Sequence, residues 1–198
     1  MATFQTQLQS LAGAQSSPDT TAMTDWLTSG AREVLNLLPP NKLMRIASTS
    51  TFENTIDVEG KKVLGVLRKD ADNSNKLMPC RQVAPIQKGR IQDSNYMEYA
   101  TASDPAFWID GDTLQVFPTS ASTNDMSLVY INAGITVSHN DSNITNFPDE
   151  AEHAVVLFAA KKYLQKLLSD NEDEFYQIQY TMIDKEYQLA IQALRGGA

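Results

Sequence analysis

Apolar residues are densest between Ala154 and Ala160, a run that would be apolar on every face of a helix. A surface helix with one apolar stripe does not read this way. Asp149 stands where it can cap such a helix, and Glu150 and Glu152 fall in a first turn whose dipole favours anions. Lys161, Lys162 and Lys166 lie toward the other end. The pattern predicts a helix over 149–170 that acts as the central, mostly buried strut.

Upstream, residues 1–21 are rich in Gln, Ser, Ala and Thr, with Phe4, Leu8 and Leu11 as the few large apolar side chains. An isolated helix there is marginal, so this stretch reads as an arm, either frayed or ordered only against a neighbouring subunit. From Thr24 or Asp25, the positions Trp26, Leu27, Ala31, Val34, Leu35 and Leu38 recur at helical spacing until Pro39-Pro40. A shorter helical piece follows over 41–48, giving helices within 24–48.

Residues 55–137 change texture. Ile56 and Val58, then Val63, Leu64, Val66 and Leu67, predict two strands around Glu59-Gly60, with a polar loop over 70–75. Residues 77–84 suggest another strand, and 85–93 are compatible with a short helix or extended chain. Pro105–Ile109 and Thr113–Pro118 flank Asp110-Gly111-Asp112, a hairpin signal because Asp-Gly supplies the positive φ of a tight turn. Residues 125–133 add a strand. The predicted fold is α+β: a helical bundle carrying an inserted small antiparallel β-sheet, one domain over 22–195 followed by a tail at 196–198.

The last helix, predicted over 172–195 with a charged first turn at 170–174, has two apolar stripes. Phe175, Ile178, Met182, Leu189 and Ala193 form one. Tyr176, Tyr180, Ile183, Tyr187, Ala190 and Leu194 form the other, roughly 125° away at about 100° per residue. One stripe suffices to seat the helix on its own domain. Either both are core, or the tyrosine-rich one is spare and Tyr176, Tyr180, Ile183, Tyr187 and Leu194 are interface residues.

The 198 residues carry a formal charge of −8, which argues against tight binding to nucleic acid through clustered Lys and Arg. Cys80 is the single cysteine, so no internal disulfide forms. No apolar stretch approaches the roughly 20 residues that cross a bilayer, and the start of the chain lacks a secretory pattern. The expectation is a chain with no membrane contact.

Candidate chemistry is sparse. Glu150 and His153 have the Glu-x-x-His spacing of di-iron carboxylate bundles, but a second copy is missing: the only other histidine is His139, and position 136 is Thr. One Cys and two His are too few for a structural zinc site. There is no Gly-x-Ser-x-Gly elbow, no phosphate loop and no Gly-x-Gly-x-x-Gly. These readings predict a protein that is not an enzyme and holds no cofactor or metal.

Two pieces carry a family resemblance: residues 105–109 with 113–118, a hairpin ending in a strand-then-Pro step, and Phe147-Pro148-Asp149-Glu150 running into the Ala-rich helix through Leu164. With the helical front end, the chain after about residue 22 resembles the head-to-tail adaptor (connector) proteins of tailed bacteriophages. The resemblance implies a structural virion protein: a homo-oligomer, commonly a dodecameric ring, docked under the portal protein and meeting tail or tail-terminator proteins. It also implies that double-stranded DNA passes through without specific binding, that the protein sits in the neck of the virion, and that it assembles in the host cytoplasm. A tail terminator or baseplate component fits the same residues, and an enzyme of unknown class fits them less well.

Overall fold

A computed structural model of the chain describes residues 2–13, 19–70, 76–120, 122, 124–170 and 174–196. The fold is α+β, and its contacts divide it into two units: Met1–Ile46 with Gly134–Ala198, and Ala47–Ala133.

The first unit is helical. α1 spans Phe4–Ala12, α2 Thr20–Leu37, α3 Pro40–Arg45, α5 Asp149–Asp170 and α6 Glu174–Gly196; α4, Lys88–Gln92, belongs to the second unit. Asp19 caps α2, its carboxylate accepting from the Ala22 N–H at 3.0 Å and from Lys166 Nζ at 2.9 Å. The Ala22 hydrogen bond and then Lys166 hold the Asp19 carboxyl below its ordinary pKa. α5 packs against α1, α2 and α6, and every residue from Ala154 to Ala160 is buried. The helix contact with α2 is close at Gly30, where a Cβ would lie 2.8 Å from Phe158 Cδ1. A return segment runs along α2 before α5. Val137 N–H donates to Thr28 Oγ1 at 3.0 Å, and Arg32 Nε donates to the Ile135 carbonyl at 3.3 Å.

The arm expected over 1–21 is corrected where it is described. Phe4, Leu8 and Ala12 recur at i, i+4 and i+8 and are at most 2% exposed, so α1 buries one face against α5 within the same chain. The Phe4 and Gln5 N–H groups, orphaned at the helix start, donate to the carbonyls of Asp141 and His139 at 2.8 Å. Three or four anchors at helical spacing suffice once a partner helix exists. Met1 and 14–18 of that arm lie outside the described residues, as do 71–75 of the predicted loop, 171–173 of the charged joint, and 197–198.

The second unit holds β1 Ser48–Phe52, β2 Thr55–Asp57, β3 Lys61–Asp70, β4 Lys76–Pro79, β5 Arg81–Gln82, β6 Ala106–Asp110, β7 Thr113–Phe117 and β8 Met126–Asn132. A 3-10 turn at Pro85–Gln87 leads into α4, Lys88–Gln92. The strands make two sheets rather than the single small sheet expected. One is antiparallel with order β1-β8-β3-β4; the other has order β2-β7-β6-β5, with β5 parallel to β6. The Glu59-Gly60 turn, with Gly60 at φ 64°, does not close a hairpin. It passes the chain from one sheet to the other, because β2 pairs with β7 while β3 pairs with β8. Phe52, Val66, Met126 and Leu128 from one sheet meet Phe107, Leu114 and Val116 from the other in a single core. The β6–β7 hairpin forms as predicted, with Gly111 at φ 60° in its two-residue turn.

Candidate interaction surface on the last helix

α6 brings the predicted interface residues together on one face, and that face is turned inward. Ile183, Tyr187 and Leu194 are buried, with Ile191 beside them, while Tyr176 and Tyr180 are half-buried. The Tyr187 ring lies 6.0 Å from that of Phe158 on α5, and its hydroxyl donates to Glu33 Oε1 on α2 at 2.8 Å. Burial, then the Glu33 hydrogen bond, raises the Tyr187 phenol above its usual pKa. Next to it, Lys161 Nζ meets Asp184 Oδ1 at 2.6 Å and stands 5.7 Å from the Tyr187 ring centre. Burial works against the Lys161 charge, but the Asp184 hydrogen bond and charge outweigh it and raise the Lys161 pKa.

The assignment of the two stripes is therefore reversed. The tyrosine stripe is the one that α6 uses to sit on its own subunit. A phenol can bury its ring and keep its hydroxyl at the rim of a core as readily as at an interface, which is why tyrosine content did not discriminate. The other stripe is outward: Ile178 is 56% exposed, Met182 58% and Leu189 63%, with Phe175 at 59%. Four large apolar side chains on one helical face amount to more than the scattered surface hydrophobics of an ordinary subunit.

Beside that stripe, α1 and α6 border an open groove of about 230 Å³, lined by Ser10, Leu11, Gln179, Met182, Ile183 and Glu186. Gln179 Oε1 is buried there without a hydrogen-bond partner among the described residues. Sequence reasoning missed the α1 side of this groove because it treated α1 as an arm. The available signal was the Phe4, Leu8, Ala12 spacing.

The other sequence candidates are engaged structurally. Glu150 pairs with Lys42 at 3.4 Å and Arg45 at 3.9 Å, Glu152 Oε1 accepts from the Ile144 N–H at 2.6 Å, and His153 is exposed. Cys80 is half-buried, and burial pushes its thiol up to about 12 against the opposing influence of Arg68, so it is protonated at neutral pH. Among the described residues, no three His, Cys, Asp or Glu side chains are grouped to hold a metal ion, and no helix is long and apolar enough to cross a membrane. No protein-family model matches the chain, and no curated protein matches it at a significant level.

Proposed function

We propose that the chain is a structural subunit of a tailed-phage neck, assembling into a ring that joins the portal of the capsid to the tail and leaves a passage for the genome. The observation that carries this reading is the second apolar stripe of α6, Ile178, Met182 and Leu189, which the subunit's own packing leaves outside. Exposed apolar surface of this kind is what a subunit offers to a neighbour. The groove adjoins the stripe and shares Met182 with it, while its other wall is Ser10 and Leu11 of α1. A contact in which one copy's apolar side chains enter the next copy's groove is head-to-tail, and such contacts make rings when the rotation from copy to copy closes. The charge of −8 fits a passage to which duplex DNA must not adhere. The resemblance to adaptor proteins supplies the neighbours: the portal on one side and tail proteins on the other.

Electron microscopy of the purified protein, alone and with its candidate portal, tests this. Rings with a central hole, or a cap of subunits on the portal, are expected. Particles that stay single at high concentration and ignore the portal would overturn the reading.

A further inference from the structure

We propose that β1 is a self-pairing edge: two copies of the chain join β1 to β1 antiparallel across a two-fold axis at Ser50, making one sheet of two. An open sheet edge presents unpaired N–H and C=O groups, and proteins usually blunt it with charge, proline or brevity. Of the four sheet edges among the described residues, three are blunted. β4 carries Lys76 and Pro79, β2 has 3 residues and ends at Asp57, and β5 has 2 residues including Arg81.

β1 has none of these guards. Its 5 residues, Ser-Thr-Ser-Thr-Phe, are uncharged and contain neither proline nor glycine. They pair with β8 on one side, and among the described residues no other backbone hydrogen bond reaches them. In an antiparallel pair, alternate residues turn both backbone groups away from the partner strand, so β1 presents ready donors and acceptors outward.

Two further features point to a second copy as the occupant. Ser50 Oγ is buried and has no hydrogen-bond partner among the described residues. A copy of β1 centred on Ser50 places an identical side chain on the same face directly opposite, and a turn of each Ser50 about χ1 brings the two hydroxyls within reach, one donating to the other. Charge also fits. The same register sets exposed Thr49 against Thr51 of the second copy, a favourable cross-strand pair, and leaves the two Glu53 carboxylates about 20 Å apart. Lys76 on β4 has no such neutral self-match. The two-fold pairing concerns the free subunit and does not rest on the ring reading.

The test uses the full chain carrying Met182→Ser and Leu189→Ser, so that contacts through α6 do not mask association through β1. Sedimentation should show a reversible dimer in the micromolar range. Adding Thr49→Lys with Thr51→Lys should weaken it at least ten-fold, with the melting temperature unchanged at concentrations where both proteins are monomeric. On a Cys80→Ser background, Ser50→Cys should give a disulfide-linked dimer on mild oxidation, because opposed residues have Cα atoms about 4.5–5.5 Å apart, a span that a disulfide bridges. A parent that stays monomeric at about 100 µM overturns the proposal. So does a lysine variant that dimerises as tightly as the parent, or a Ser50→Cys protein that does not cross-link.

Discussion

α5 and α6 are nearly equal in length, 22 and 23 residues, and pack against each other, yet they spend their apolar content differently. α5 is surrounded. Its run from Ala154 to Ala160 is buried throughout, and small alanines let α2 approach until Gly30 meets Phe158. α6 is covered on one side only. Ile183, Tyr187, Ile191 and Leu194 are buried, while Ile178, Met182 and Leu189 remain more than half exposed. A helix that is apolar all round serves its own subunit, whereas one with a second apolar stripe carries surface that the subunit does not use.

The largest effect that would break this comparison comes from charge placed on each helix. Ala160→Asp puts an unpaired carboxylate at a fully buried position and should cost several kcal/mol, on the order of the subunit's entire stability. Leu189→Asp on the exposed stripe of α6 should change stability by less than about 0.5 kcal/mol. Chemical denaturation of the two variants checks the contrast. Equal losses would mean that the outer face of α6 is as much core as α5.

Gly30→Ala tests the close approach at a smaller scale. Alanine is the better helix former by about 1 kcal/mol, but its Cβ would sit 2.8 Å from the Phe158 ring. That ring is held between Gly30 and Tyr187, so it cannot swing away freely. Overpacking costs about 1–3 kcal/mol and should win, lowering the melting temperature. A more stable Gly30→Ala protein would show that Phe158 yields.

These helices were legible because their signals are local and redundant: proline after Leu38, acids at the start of α5, and apolar positions at helical spacing. The Asp-Gly hairpin was equally plain. β1 was not, because Ser48 and Ser50 take the inward positions that apolar residues usually mark, so the alternation vanished and no strand was expected before residue 55. The division into two sheets was hidden too, since strand order depends on partners remote in sequence, and β2 and β3 look like a hairpin to any local reading. For α6, two stripes of similar apolar content leave the sequence without a criterion. What decides is shape and a hydroxyl's reach, with Tyr187 seated against Phe158 and bonded to Glu33.

That hydroxyl sets the next prediction. Tyr187→Phe keeps the ring and should cost about 1 kcal/mol at neutral pH, the usual net worth of one hydrogen bond. It should also change the response to alkali. Burial and Glu33 raise the Tyr187 pKa in the folded chain, so the unfolded phenol ionises first, from about pH 10. Its contribution is complete below that pH and is lost as pH climbs toward the higher folded-state value. The parent should therefore lose stability above about pH 10 more steeply than Tyr187→Phe, and matching alkaline slopes would place the phenol outside the core.

The smallest effect on the subunit should come from the outer stripe, where Met182→Ser with Leu189→Ser removes apolar area already facing water. Because those side chains are 58% and 63% exposed, their truncation forfeits little burial, and thermal unfolding should match the parent within a degree or two. Assembly should respond in the opposite sense. At an interface, a few desolvated apolar side chains carry most of the binding energy, so the double variant should fail to form rings or to cap portals. Tyr180→Ser with Tyr187→Ser provides the control, because it strikes the stripe packed against α2 and α5 and should lower subunit stability before it affects assembly. If the tyrosine variant melts like the parent yet cannot assemble, while the Met182 and Leu189 variant assembles normally, the roles of the two stripes are exchanged and the interface lies on the tyrosine face.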